Sequence, residues 1–287
     1  MSLAVARDIS ELHDVNDLHY PRVLAIAGSD SGGGAGIQAD LKTFAALGCY
    51  GMTAVTAITV QNTVGVQGIH AVPPEMLAGQ IDAVLGDIGA DAIKIGMLHA
   101  PAIVDVVARA LQRHGAQQVV LDPVMVAASG DALIEPQTVA VLVRELFARA
   151  ALITPNLDEA ALLLGRPIDG VPALEAAAQA LRALGAQAVL LKGGHLPGNT
   201  VVDVLATAEG VQRFEAPRID TRNLHGAGCT LSSAIAAHLA LGAPLAAAVA
   251  AGRDYTLAAL RAGAEVRTGQ GRGPLNHGFA PRPLQAR

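Results

Sequence analysis

The chain has 287 residues, enough for one large α/β domain or two ordinary ones, and 52% of them are hydrophobic. Aromatic residues make up only 2% and Trp is absent, so small aliphatics must fill the core and so few rings argue against stacking platforms for single-stranded nucleic acid. The formal charge of −5 without a basic run argues against nucleic acid, and the distant Cys49 and Cys229 suit a reducing compartment.

Residues 1–20 carry several acids and no apolar h-region, which speaks against a signal peptide. They read as an N-terminal extension to a single domain over 21–280, with 281–287 as a tail. Short β-branched runs then alternate with helical patterns. Residues 23–27 read as a strand and 36–47 as the helix after it. Strands are predicted at 53–60 and 66–72, around the polar turn 61–65. A helix at 74–85, a strand at 92–95 and a helix at 101–114 follow. Further strands at 119–122, 151–154 and 188–191 bracket helices near 136–149 and 174–184. Residues 201–207 and 211–216 flank a hairpin turn at 208–210, and helices near 228–241 and 244–262 close the pattern.

The most apolar tract, 234–251, is broken by His238, Gly242 and Pro244, which fits two core helices better than a membrane span. The expectation is a cytoplasmic protein with no membrane partner. The Gly- and Pro-rich stretch after Thr268 reads as loosely ordered. Strand–helix alternation at this spacing predicts an α/β fold with a mostly parallel sheet and helices on both faces. Ligands in such sheets lie beyond the carboxyl ends of the strands, so the residues just after each strand matter most.

The first strand runs into Gly28-Ser29-Asp30-Ser31-Gly32-Gly33-Gly34-Ala35-Gly36. Glycines let backbone N–H groups approach a ligand, and a helix start favours an anion. No Gly-Lys-Ser/Thr follows, so this is not a Walker loop. No acid ends a second strand at the Rossmann distance either, which weakens a nicotinamide oxidoreductase reading. A tight structural turn is the alternative. Gly226-Ala227-Gly228-Cys229 also precedes a helix, where free N–H groups and the positive dipole end converge. Such a nest can hold charge on a phosphoryl group in flight. Cys229 falls in the first turn, where thiol pKa values tend to drop, so a thiolate there could take a hydroxyl proton. The alternative is a glycine-rich cap with a small buried thiol.

Several motifs in order carry a resemblance. They are Ala27-Gly28-Ser29-Asp30 through Gly36-Ile37-Gln38-Ala39-Asp40-Leu41-Lys42-Thr43, Ala57-Ile58-Thr59-Val60-Gln61-Asn62-Thr63 and Lys94-Ile95-Gly96-Met97-Leu98. Ser129-Gly130-Asp131, Thr154-Pro155-Asn156-Leu157-Asp158-Glu159-Ala160, Lys192-Gly193-Gly194-His195 and His225-Gly226-Ala227-Gly228-Cys229-Thr230-Leu231-Ser232 continue it. From about residue 23 to about residue 279 the chain resembles the hydroxymethylpyrimidine/phosphomethylpyrimidine kinases of thiamine biosynthesis, in the ribokinase-like superfamily. Cys229 points to that subfamily, because the wider superfamily carries Asp there.

The resemblance implies a ribokinase-like three-layer fold with a small β-flap, and phosphorylation by ATP with Mg²⁺. The substrates would be 4-amino-5-hydroxymethyl-2-methylpyrimidine and its monophosphate. Gly28, Asp40, Gln61 and Met97 would line the aminopyrimidine pocket, with Val124 nearby. Asp122 and Glu159 would serve Mg²⁺, Asn156, Glu159 and Lys192 the nucleotide, and Gly226, Ala227, Gly228 and Cys229 the phosphoryl transfer. A homodimer is implied, with 53–72 as a flap over the partner. Plainer readings stand beside these: a solvated acid for Asp40, a core filler for Met97, a turn residue for Gln61 or Asp122, and a helix start for Asn156 with Glu159. Lys192 could be a solvated strand-end lysine, and His195 and His225 incidental loop residues. Leu224, Ala227 and Ala128 depart from the Thr, Thr and Lys common in the family, all near the expected phosphates. Pyridoxal or pyridoxine kinase is the alternative of the same fold, and a catalytically weak pyrimidine sensor the alternative of another class.

Overall fold

A computed structural model of the protein describes residues 18–125 and 133–287. The chain runs β1 (Arg22–Ala27), α1 (Gly36–Ala46), β2 (Tyr50–Val55), β3 (Ala57–Gln61), β4 (Val66–Ala71), α2 (Pro74–Asp87) and β5 (Ala92–Ile95). It continues α3 (Pro101–Arg113), β6 (Val119–Leu121), α4 (Thr138–Leu146), β7 (Leu152–Ile153), α5 (Leu157–Leu164) and α6 (Leu174–Ala183). Then come β8 (Val189–Leu191), β9 (Thr200–Ala206), β10 (Val211–Pro217), α7 (Ala227–Ala240) and α8 (Leu245–Gly263).

Eight strands form one sheet in the order β10-β9-β8-β7-β6-β5-β1-β2, while β3 and β4 pair separately. Pairing is parallel from β2 to β8 and antiparallel at β8–β9 and β9–β10. The apolar runs of the parallel strands are buried on both faces, as a covered parallel sheet requires. In β1, Val23 and Ala25 pack into a core with Phe44 and the helices α7 and α8. Leu24 and Ile26 pack on the opposite face with α2, α3, α4 and α6. This is the three-layer α/β fold with a separate two-stranded flap that the sequence predicts. No described helix is long and apolar enough to cross a membrane.

Three sequence expectations change. The predicted strand 53–60 is two strands: β2 begins earlier, at Tyr50, and the path breaks at Thr56, from which β3 leaves for the flap. The run 53–60 holds no Gly or Pro to mark that break. It is made by Thr56, whose hydroxyl donates to Met97 O at 2.8 Å while its N–H donates to Ala27 O at 3.0 Å. The helix α5, absent from the predicted elements, starts at the Asn156/Glu159 capping signal. Both halves of the box form, Glu159 N–H to Asn156 Oδ1 at 2.9 Å and Asn156 N–H to Glu159 Oε2 at 2.8 Å.

The stretch after Thr268 is packed rather than loose. Gly271 N–H donates to Thr63 Oγ1 at 3.1 Å and Arg272 N–H to Thr63 O at 2.9 Å. A Cβ on Gly271 would strike the Thr63 carbonyl oxygen, so this glycine serves close approach and not flexibility. Farther along, Tyr255 OH donates to His277 O at 2.7 Å, and Arg287 and His19 exchange two backbone hydrogen bonds at 3.0 and 3.1 Å. The departure at Ala128, the motif Ser129-Gly130-Asp131 and most of the N-terminal extension lie outside the described residues.

His277 yields a measurable consequence. Its Nε2 lies 2.9 Å from Thr230 Oγ1, and that hydroxyl already donates to Gly226 O, so it accepts from the imidazole. Burial pushes this histidine down from 6.5 to about 4, with the charge of Lys42 adding. The unfolded chain therefore takes up this proton at higher pH than the folded one. The stability it contributes is complete above pH 6.5 and is lost as the pH falls towards 4. His277→Asn is expected to lose less unfolding free energy than the wild type over that range in urea titrations; identical acid limbs would place the titrating group elsewhere.

Candidate active site

Gly28, Met97, Asp122, Asn156 and Lys192 follow the carboxyl ends of β1, β5, β6, β7 and β8, and α7 starts at the same edge. On one side Met97, Ala57 and Leu133 form a small apolar cluster, with Val124 and the flap residues Val66 and Ile69 against it. A Cβ on Gly28 would collide with the Met97 methyl, so the glycine admits the methionine. Gly28, Met97 and Val124 are thus brought together beneath the flap. Gln61 enters from β3: its Oε1 lies 3.3 Å from Thr59 Oγ1, and its Nε2 3.5 Å from His225 Nε2.

Asp40 is placed differently. It is fully buried, and its two oxygens accept from Lys94 Nζ at 2.8 and 2.9 Å, with Ser233 Oγ donating to Oδ1 at 2.7 Å. Neither the solvated acid nor a freely offered acceptor describes it. Lys94 is also fully buried; burial alone would strip its proton, but Asp40, with Cys229 and Asp122 beyond, holds the ammonium above its ordinary value. A Cβ at Gly96 would come within 3.0 Å of Lys94 Nζ and of Ala27, which explains the glycine of Lys94-Ile95-Gly96.

The other side is polar. Asp122 Oδ1 accepts from Lys192 Nζ and Thr154 Oγ1, both at 2.9 Å, and Ser232 Oγ lies 3.3 Å from Oδ2. Burial would raise this carboxyl, yet Lys192 and Lys94 hold it below the usual range. Burial pushes Glu159 up, with Lys192 opposing and the Asp122 charge adding. His195 is exposed and meets only Asp158 among the described residues, at 2.8 Å, outside this cluster.

Helix α7 closes the site. Gly226 is its N-cap at φ 83°, in the left-handed region that glycine tolerates. Ala227 N–H is already bonded to Leu224 O at 3.1 Å, and Thr230 N–H makes the first helical bond, to Gly226 O at 2.8 Å. The amides of Gly228 and Cys229 lie between them, so the nest is narrower than the sequence suggests. The Cys229 thiol is half-buried. Burial pushes it up to about 11 against the pull of Lys94 and a hydrogen bond from the Gly36 backbone, the reverse of the lowered value expected from its place in the first turn. A Cβ on Gly228 would lie 3.3 Å from Lys192 Nζ and 3.6 Å from Asp122 Oδ2. The helix start, the strand-end acid and the strand-end lysine therefore meet at one point.

A family model described as phosphomethylpyrimidine kinase matches residues 30–276. The chain belongs to that family. It is 52% identical over 255 residues to the hydroxymethylpyrimidine/phosphomethylpyrimidine kinase of Rhizobium meliloti (strain 1021), covering 88% of this chain and 96% of that one. An ADP complex of Bacillus subtilis pyridoxal kinase superposes with a TM-score of 0.84 at 38% identity, over 90% of this kinase and 98% of that chain. Phosphomethylpyrimidine kinase from Clostridium difficile 630 gives 0.75 at 40%, over 83% and 99%.

Residues that the sequence did not single out for this kinase's site are Lys94, Ser233, Thr154, Ser232 and Asp30. Lys94 left a signal, a lone cation inside the apolar strand Ala92–Ile95. Ser232 and Ser233 did not, since a helical serine shows no partner in sequence. Lys94→Ala would leave the Asp40 carboxylate buried beside one hydroxyl, a loss of about 3–5 kcal/mol. Urea unfolding is expected to show that loss, with Lys94→Met/Asp40→Leu much closer to the wild type. A Lys94→Ala protein as stable as the wild type would contradict the pairing.

Proposed function

We propose that this kinase transfers the γ-phosphoryl group of ATP to the hydroxymethyl oxygen of 4-amino-5-hydroxymethyl-2-methylpyrimidine, and then to the phosphate of the product, giving the diphosphate used for thiamine. The observation that carries the reading is the meeting of Gly228 with Lys192 and Asp122 at the sheet edge that also holds the Gly28–Met97–Val124 apolar cluster. An apolar cluster together with the Gln61 amide of the flap suits a methylated aminopyrimidine, because the amide can both donate and accept. Residues 21–280 act as a single kinase domain, and the protein works in the cytoplasm.

In the transfer, the substrate hydroxyl gives its proton to the Cys229 thiolate. Its oxygen forms the new bond to phosphorus as the bond to the ADP oxygen breaks. The Gly228 and Cys229 amides and the dipole of α7 receive the charge spread over the phosphoryl oxygens. Lys192 holds Asp122 in place and offers its cation to the nucleotide phosphates, with Asn156 shaping the adjoining turn. Asp122 and Glu159 fit Mg²⁺, which takes one or two carboxylates and fills its shell with water and phosphate oxygens. No third His, Cys, Asp or Glu gathers with them among the described residues. Bound there, Mg²⁺ would neutralise charge on the transferred group.

The likeness to B. subtilis pyridoxal kinase supports a pyridoxal or pyridoxine kinase as the alternative of the same fold, and Leu224 and Ala227, at the phosphate loop, bear on the second phosphorylation. The outward Ile58, Val60 and Val64 of the flap are more than half exposed, which supports the homodimer.

ATP consumption with the hydroxymethylpyrimidine, its phosphate, pyridoxine and pyridoxal tests the reading. Turnover of both pyrimidines, abolished by EDTA, is expected; turnover of pyridoxal alone would replace it. Because the thiol value is high, the reactive thiolate becomes more populated as pH rises, so kcat is expected to climb above neutrality. Cys229→Ser is expected to lower kcat by about 10²-fold and to flatten that climb. A near-wild-type rate would leave the amides as the whole of the transfer site.

A further inference from the structure

Asp30 and His225 lie inside the site yet take no part in the bonds made and broken in the transfer. Asp30 is only 1% exposed. Its carboxylate accepts four N–H groups: Gly32 on Oδ1 at 2.8 Å, then Gly34 at 3.0 Å, Ala35 at 2.8 Å and His225 Nε2 at 2.8 Å on Oδ2. Burial would raise this carboxyl, but the bonds from His225 and Ala35 hold it below the usual range. An ionised carboxylate can only accept, so the imidazole proton must sit on Nε2.

The two glycine-rich loops meet around this bond. A Cβ on Gly34 would lie 2.5 Å from His225 Cδ2, and one on Gly226 would strike Gly34 O. His225 N–H donates to Gly273 O at 3.1 Å, which anchors its other end. The next residue is Gly226, the N-cap that aims the Gly228 and Cys229 amides. From the first loop, Gly36 N–H reaches the Cys229 sulfur, and Gln61 of the pocket lies within 3.5 Å of the same imidazole.

We propose that Asp30 and His225 form a positioning pair that fixes the phosphoryl-transfer loop against the pyrimidine loop. The inference rests on the kinase reading and adds to it the residues that set the register between its two halves. A loop of glycines has few side chains to define its path, so one buried charge-assisted bond supplies the definition. An anion hole works only if its donors already point at the developing charge, and a misplacement of about 1 Å can cost about 10²-fold in rate. Both residues act through Gly226 and Gly36.

Asp30→Asn and His225→Ala are each expected to lower kcat by about 10²-fold while KM for ATP and pyrimidine changes far less. The double variant should be no slower than the worse single one, because the two act as a unit. His225→Gln, which keeps a donor near the Nε2 position, should recover part of the rate. A purely structural role would instead lower thermal stability while kcat of the folded protein stays near the wild-type value. Wild-type kcat in His225→Ala, or multiplying effects in the double variant, overturns the pair. Long-range ¹⁵N–¹H spectra give a readout independent of substrate: the signal lost in His225→Gln should be an Nε2–H tautomer, altered in Asp30→Asn. A Nδ1–H tautomer there overturns the proposal even if the enzyme is active. An inactive wild-type enzyme with the Nε2–H signature would sink the proposed reaction and leave the pair standing.

Discussion

Cations inside this fold stand on carboxylates, and the site is arranged around that pairing. Lys94 on Asp40 lies wholly in the interior, near enough for its charge to act on Cys229. Lys192 on Asp122 lies at the strand ends, where α7 begins. Desolvating either charge alone would be far costlier than desolvating the pair. Each pair also ties separate elements together: α1 to β5 and, through Ser233, to α7 in the first case, β6 to β8 in the second. The two cations then act at short range on one thiol and one acid, in surroundings that screen little. The sheet needs these pairs to hold charge, and the chemistry needs the charge to be held.

Glycines complete the arrangement by what they let in. Gly28 admits the Met97 methyl, Gly96 leaves room for the Lys94 ammonium, and Gly228 lets Lys192 and Asp122 approach the helix start. At Gly193 a Cβ would strike Val202 O, while the Gly193 N–H donates to Asp203 Oδ1 at 2.9 Å. Asp203 in turn accepts from Arg253 Nε at 2.7 Å, so a buried ion pair from α8 sets the turn that follows Lys192.

The layered fold was legible because strand–helix alternation is a periodic signal, and the apolar runs of β1, β5, β6 and β8 stand out against their flanks. Asp122 and Lys192 stood out as residues that follow strands, where the rule for such sheets puts ligands, whereas Gly28 and Met97 came with the family resemblance. Other features were hidden for physical reasons. The break at Thr56 depends on a carbonyl 41 residues away, at Met97. The burial of Asp40 depends on Lys94 and Ser233, 54 and 193 residues distant. Position in a first helical turn suggests a lowered thiol value at Cys229, but desolvation by the surrounding fold outweighs the dipole. The tail after Thr268 shows the same limit: composition reports flexibility, whereas the glycines there are a means of close approach.

The bridge between His19 and Arg287 sets the residues that lead into β1 beside Arg287, at the opposite end of β1 from the strand ends that build the site. In a chain begun at His19, a short linker from Arg287 would bridge the bonded pair with little distortion, and the β9–β10 turn, where Thr207 N–H meets Gly210 O at 2.8 Å, offers a place to open the chain anew. Such a circular permutant would keep every strand pairing and both buried ion pairs. The order in which the chain is connected is thus separable from the arrangement that performs the chemistry.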